Sequence, residues 1–220
     1  MQLVSVPLAR VLAYIEGAEL NAQGKAFFPE IIGSLIERFQ FQKYPKNFEE
    51  TNEDKGVNFF EGRWKGINVN KLTIFTGALI VDTSTSTEAS EQVLEEALTW
   101  GAQELGLTYK SGMIKRKQYI SDIVINSDID LLAVHPAFAN LQKAVTDVGE
   151  QYLWQRRPYE LTHFGRDFDH TLNPLIAAPF SIQRRGNALF SEKKYFSEAP
   201  MPTKVHIGLI EKLEADLGKG

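Results

Sequence analysis

The stretch Val57–Thr83, VNFFEGRWKGINVNKLTIFTGALIVDT, decides the fold class. It holds three runs rich in β-branched and aromatic residues, Val57 to Trp64, Ile67 to Thr76 and Ala78 to Thr83, separated at Gly66 and Gly77. Consecutive strands with no helix between them predict an antiparallel meander, because parallel strands need a long crossover. Ile67 and Val69 alternate with Asn68 and Asn70, as on a strand with one wet face, whereas Leu79-Ile80-Val81 is apolar throughout and reads as more deeply buried.

Outward from this meander, helical spacing recurs four times. Ile31, Ile32, Leu35, Ile36 and Phe39 predict a helix over Pro29–Phe39 with proline in its first turn. Thr85 and Glu88 form a candidate capping box before a stripe of Ala89, Val93, Leu94, Ala97, Leu98, Gly101 and Leu105, with Gly106 as the stop. Pro136 opens a third helix whose Phe138, Leu141, Val145, Val148 and Tyr152 form one stripe, expected to be buried. Thr203 can cap a fourth, carrying Val205, Leu209, Ile210, Leu213 and Leu217. Further strands are expected over Lys117–Asn126, Tyr159–Asp169, Phe180–Arg185 and Leu189–Phe196, the last two joined as a hairpin through Gly186-Asn187. The first sixteen residues fit either strand or helix, and the polar segment Lys43–Gly56 reads as an exposed loop. The expectation is an α+β fold, a mainly antiparallel sheet with about four helices packed on it. It spans 1–220 as a single domain, either undivided or as two tightly packed halves meeting near 110–112.

Composition narrows the chemistry. With no cysteine among 220 residues, disulfides, thiolate nucleophiles, iron–sulfur clusters and cysteine zinc sites are excluded. Arg10 and Glu16 interrupt the one apolar stretch near the start, and no run approaches the ~20 apolar residues of a membrane-spanning helix. A soluble, cytoplasmic protein is expected. The net charge of −4 conceals an acidic excess over residues 1–109 and a basic excess over 110–204.

The phosphate-binding, nucleophile-elbow, zinc-protease and EF-hand signatures are absent. The most suggestive polar cluster is His163-Phe164-Gly165-Arg166-Asp167-Phe168-Asp169-His170. On a strand His163, Asp167 and Asp169 share a face, and an imidazole with two carboxylates is a divalent-metal ligand set that could activate water for hydrolysis. Their extended reach of about 20 Å is too long for one ion unless the strand bends at Gly165. His135 before Pro136 and His206 in the last helix read as structural. Arg184, Arg185, Lys193 and Lys194 on neighbouring strands form a candidate phosphate-contacting surface, with Tyr195 or Trp154 available to stack on bases. A sequence pI of 5.7 opposes a dedicated nucleic-acid binder. Tyr195 and Phe196 are also candidate interface aromatics. The leading expectation is a non-enzymatic interaction or assembly subunit, a homo-oligomer or the partner of another protein, with no cofactor. A metal-dependent hydrolase using His163–His170 is the alternative, and a nucleic-acid accessory protein the third reading.

Overall fold

The computed structural model describes residues 1–153, 159–167 and 178–219. Among them the elements are β1 (Gln2–Tyr14), α1 (Gly17–Leu20), α2 (Phe28–Phe39), β2 (Val57–Trp64), β3 (Ile67–Phe75), β4 (Ala78–Thr83), α3 (Thr87–Glu104), β5 (Arg116–Asn126), α4 (Pro136–Leu153), β6 (His163–Arg166), β7 (Phe180–Arg184), β8 (Lys194–Ala199) and α5 (Thr203–Leu217). The strands are ordered β2-β3-β4-β1-β5-β8-β7-β6 in one antiparallel sheet, and the fold is α+β. The chain clusters into two compact units, Val6–Asp122 with Pro200–Lys204, and Met1–Ser5 with Ile123–Ala199 and Val205–Gly220. The changes of unit fall inside β1, inside β5, after β8 and near the start of α5.

The first unit is built on the meander. Val11 pairs with Val81, Val81 with Leu72 and Leu72 with Phe59, so one row of buried side chains crosses four strands. The next row, Ala13, Leu79, Ile74 and Val57, runs beside it. Because side chains alternate along a strand, these rows share one face. Ile32, Leu35 and Phe39 of α2 and Val93, Leu94 and Leu98 of α3 join the same core. A β-bulge at Asn70 shifts the β3–β4 register between Val69 and Lys71. Opposite it, Glu61 takes a φ of 56°. Gly62 follows, and a β-carbon there would lie 2.5 Å from the Phe41 ring, so this close approach requires glycine.

The cap of α3 is displaced by one residue from the expected Thr85. Ser86 Oγ accepts from the Ala89 N–H at 3.1 Å, satisfying one of the orphan donors of the first turn. Ser90 on the buried side donates to the Ala9 carbonyl at 2.7 Å and lies 2.9 Å from Thr83 Oγ1, tying the helix to β1 and β4 through groups that would otherwise be unsatisfied in the core.

In the second unit β7 pairs with both β6 and β8 in antiparallel register. Ile123, Ile125, Leu131, Leu132, Ile182, Tyr195 and Ile210 are its largest buried apolar side chains. β7 and β8 pair as the expected hairpin, and Gly186-Asn187 form a turn closed by the Ala188 N–H donating to the Arg185 carbonyl at 3.1 Å, but the connection is longer than that turn. Neither residue has a positive φ. A 3-10 turn over Phe190–Glu192, closed by the Glu192 carboxylate accepting from the Leu189 N–H at 2.9 Å, occupies the start of the predicted strand. Lys193 then takes the left-handed conformation at φ 46°, and β8 begins at Lys194. Of the stripe expected inside on α5, Ile210 is buried and Leu213 and Leu217 are half-buried. Val205 and Leu209 are exposed, while His206 is fully buried with its Nε2 2.8 Å from Ser197 Oγ and Phe180 edge-on to its ring. A histidine with a hydroxyl partner thus fills a place assigned to an aliphatic residue.

Phe59 is fully buried at the β2 end of the four-strand row, against Phe41. Phe59→Ala is expected to lower unfolding stability by about 3–5 kcal/mol in urea titrations, the ordinary cost of emptying a buried phenylalanine site. A loss under about 1 kcal/mol would contradict the packing described for this row.

Candidate functional site

The most conspicuous surface feature is on α4. His135 caps the helix, its Nδ1 accepting from the Ala137 N–H at 3.1 Å, and Pro136 occupies the first turn. On the inner side Thr146 is buried, donating to the Gln142 carbonyl at 2.8 Å and accepting from the Tyr159 N–H at 3.1 Å. The predicted stripe is present but not buried. Phe138 is 45% exposed, Leu141 59%, Val145 40%, Val148 53% and Tyr152 75%. Single exposed apolar residues are ordinary, but five in a continuous 3-4-3-4 array are not.

This stripe has relief. Ala144, Val145, Val148, Gly149 and Tyr159 line a shallow groove of about 340 Å³. Small residues make it: a β-carbon on Gly149 would stand 3.1 Å from the Tyr159 ring. Leu141 projects one turn toward the N-terminus. Gln142, Ala144 and Gly149 flank the stripe and carry no charge, while Lys143, Asp147 and Glu150 fall on the other side of the helical wheel.

Two of the four candidate basic residues are engaged within the chain. The Arg184 side chain is buried, with its guanidinium 2.7 Å from Asp130 Oδ2 and 2.9 Å from Glu160 Oε2. It also donates to the Leu161 carbonyl at 3.1 Å and stacks on Phe190, 4.7 Å from the ring centroid. A guanidinium so paired is a structural hub, not a group held ready for phosphate. Lys193 Nζ donates to the Asp128 carbonyl. Arg185 and Lys194 are half-buried, and the Arg185 N–H donates to the Lys194 carbonyl at 3.0 Å. Of the four, Arg184 and Lys193 are thus turned to contacts within the chain.

Tyr195, expected to be available for contact or stacking, is fully buried instead. Its hydroxyl donates to Asp130 Oδ1 at 2.9 Å and accepts from the Leu131 N–H at 3.3 Å. Burial, followed by the Asp130 hydrogen bond and charge, pushes the phenol up to about 12. Phe196, its neighbour on the opposite face of β8, is half-buried. Strand alternation thus separates the two candidate interface aromatics.

His163 is exposed on β6 opposite Gln183, its ring folded over Gly165, where a β-carbon would lie 2.8 Å from Cε1. Asp167 lies one residue past the end of β6, which stops at Arg166, short of the strand end predicted at Asp169. Asp169 and His170 lie outside the described residues, as does Trp154. Among the described residues no group of three His, Cys, Asp or Glu could hold a metal ion, and no helix is long and apolar enough to cross a membrane.

No protein-family model matches the chain, and no curated protein matches it in sequence. The candidate site accordingly rests on its own geometry.

Tyr109 and Tyr119 are also pushed up to about 12, by burial and then by Glu95 and Glu91 respectively. In the unfolded chain a phenol ionises near 10, so between about 10 and 12 the unfolded state releases protons that the folded state retains. Stability is expected to be unaffected by these groups below pH 10 and to fall as pH rises from 10 to 12, with a shallower fall in Tyr195→Phe. Denaturant titrations alongside tyrosinate absorbance at 295 nm check this; an equal slope in the variant would exclude Tyr195 as a contributor.

Proposed function

We propose that the protein is a non-enzymatic assembly subunit that pairs with a second copy of itself through α4, in the cytoplasm. The observation that supports this reading is the exposed stripe Phe138, Leu141, Val145, Val148 and Tyr152, whose 3-4-3-4 spacing is that of a two-stranded helical seam. In an antiparallel pair centred on Val145, Leu141 of each copy faces Gly149 of the other and enters the groove beside Val148 and Tyr159, while Phe138 faces Tyr152. Knob and hole are thus supplied by the same patch, as a twofold interface requires. Uncharged flanks leave no like-charge repulsion across the seam, and antiparallel helices set opposite dipole ends side by side. The absence of cysteine agrees with a reducing compartment.

The 18-residue helix is about 27 Å long, so the helix pair alone buries less than the ~800 Å² per partner of a standard interface. The dimer therefore dissociates on dilution. Light scattering coupled to size exclusion, run over a concentration series, should give a mass moving from 24.8 kDa towards twice that value. Leu141→Glu removes two buried leucines per dimer at ~1.5–3 kcal/mol each, so the dimer dissociation constant should rise at least a hundredfold, with unchanged circular dichroism and thermal midpoint. A monomer throughout the micromolar range, or a dimer indifferent to Leu141→Glu and to Val148→Glu, would overturn this proposal.

A further inference from the structure

The core of the first unit is not filled. Between α1, α2, α3 and the β3–β4 pair lies a cavity of about 320 Å³. Its existence follows from residue size. Gly17, Ala18, Ala26, Ala97 and Gly101 line it, small residues that fill little of the space between the surrounding elements. The remaining wall is almost entirely aliphatic and aromatic, with Leu35, Leu72, Leu79 and Leu98 among its members. A well-packed interior leaves few voids larger than a water molecule, and an apolar void costs stability unless something apolar fills it. An apolar cavity of about 150 Å³ holds a benzene molecule, so this one has room for roughly a bicyclic aromatic or an eight-carbon chain. Its size and lining also lie within the range of small-molecule sites.

Two lining residues are polar, and they differ in what remains for a ligand. Asn21 is spent on the chain: its Nδ2 donates to the Ala26 carbonyl at 2.9 Å and its Oδ1 accepts from the Ala26 N–H at 3.0 Å, pinning the loop after α1. Among the described residues Glu53 is the one ionisable member of the lining. The turn that carries it is closed by the Gly56 N–H donating to the Glu53 carbonyl at 3.2 Å. Gly56 has a φ of 86° and lies so close to Phe75 that a β-carbon would stand 2.6 Å from the ring, so the turn is seated firmly on the wall. Asp54 beside it accepts from Thr76 Oγ1 at 2.9 Å. Burial, and secondarily the Asp54 charge, raises the Glu53 carboxyl above its ordinary value. An anion here lacks compensation that a cation would supply.

We propose that this cavity is a binding site for a small apolar amine, its hydrocarbon body among the aliphatic residues of α2, α3 and β4 and its ammonium group against the Glu53 carboxylate. A carboxylate ligand of the same shape meets repulsion from Glu53 and Asp54, and an alcohol gains the burial without the charge pairing. The site is separate from α4 and does not depend on the dimer.

Calorimetric titration of the full chain with octylamine, octanol and octanoate at pH 7 tests the proposal. Octylamine is expected to bind at least tenfold more tightly than octanoate, with octanol between them. Glu53→Gln, at a half-exposed position, should remove the advantage of the amine over the alcohol and change octanol affinity less than twofold. Ala97→Phe should weaken all three ligands more than tenfold by filling the cavity; Ala97→Leu is the smaller substitution for the same purpose if the phenylalanine prevents folding. Octanoate binding as tightly as octylamine, no binding of any of the three at millimolar concentration, or undiminished binding by a folded Ala97 variant would overturn the proposal.

Discussion

An amphipathic helix draws most of its stability from removing its apolar stripe from water, and α4 does this only in part within its own chain. Its inner side is held by Thr146 and by the contact of Gly149 with Tyr159, polar and small groups rather than the large aliphatics that anchor α2 and α3. The large residues point outward. A helix turned this way carries a standing free-energy demand for another apolar surface, and the proposed self-association answers it. The contrast with α3 is direct: there Val93, Leu94 and Leu98 are buried and the exposed face is acidic.

The second unit shows how a buried charge reshapes what a basic cluster can do. Arg184 is surrounded by Asp130, Glu160, the Leu161 and Phe190 carbonyls and the faces of Phe190 and Tyr195. Removing a guanidinium from water is tolerable only with such compensation, and the compensation uses up the donors that a phosphate would need. Asp130 serves both Arg184 and Tyr195, one oxygen each, so three side chains that look unrelated along the chain form one network.

Much of the architecture was legible from local pattern. The meander from Val57 to Thr83 and the helices over Phe28–Phe39, Thr87–Glu104 and Pro136–Leu153 follow from hydrophobic period and from turn and cap residues, because those signals are carried by neighbours in sequence. Where two local solutions were close in energy the reading slipped. Ser86 displaced Thr85 as the α3 cap, and the 3-10 turn at Phe190–Glu192 displaced a strand start. The short α1 escaped notice, since four residues carry too little periodicity.

By itself the sequence determined the fold class, the strand-rich middle, the amphipathic character of α4 and the exclusion of cysteine chemistry, all properties of composition and near-neighbour spacing. Only the tertiary structure decided which amphipathic faces find a partner: α4 turns its stripe outward, α5 buries His206 in place of Val205, and Tyr195 enters the core while Phe196 does not. It also decided that small residues from distant segments, Gly17, Ala97 and Gly101 among them, would converge on one cavity beside Glu53. Periodicity defines a face, but burial of that face depends on surfaces contributed from elsewhere in the chain, and no local pattern encodes their position.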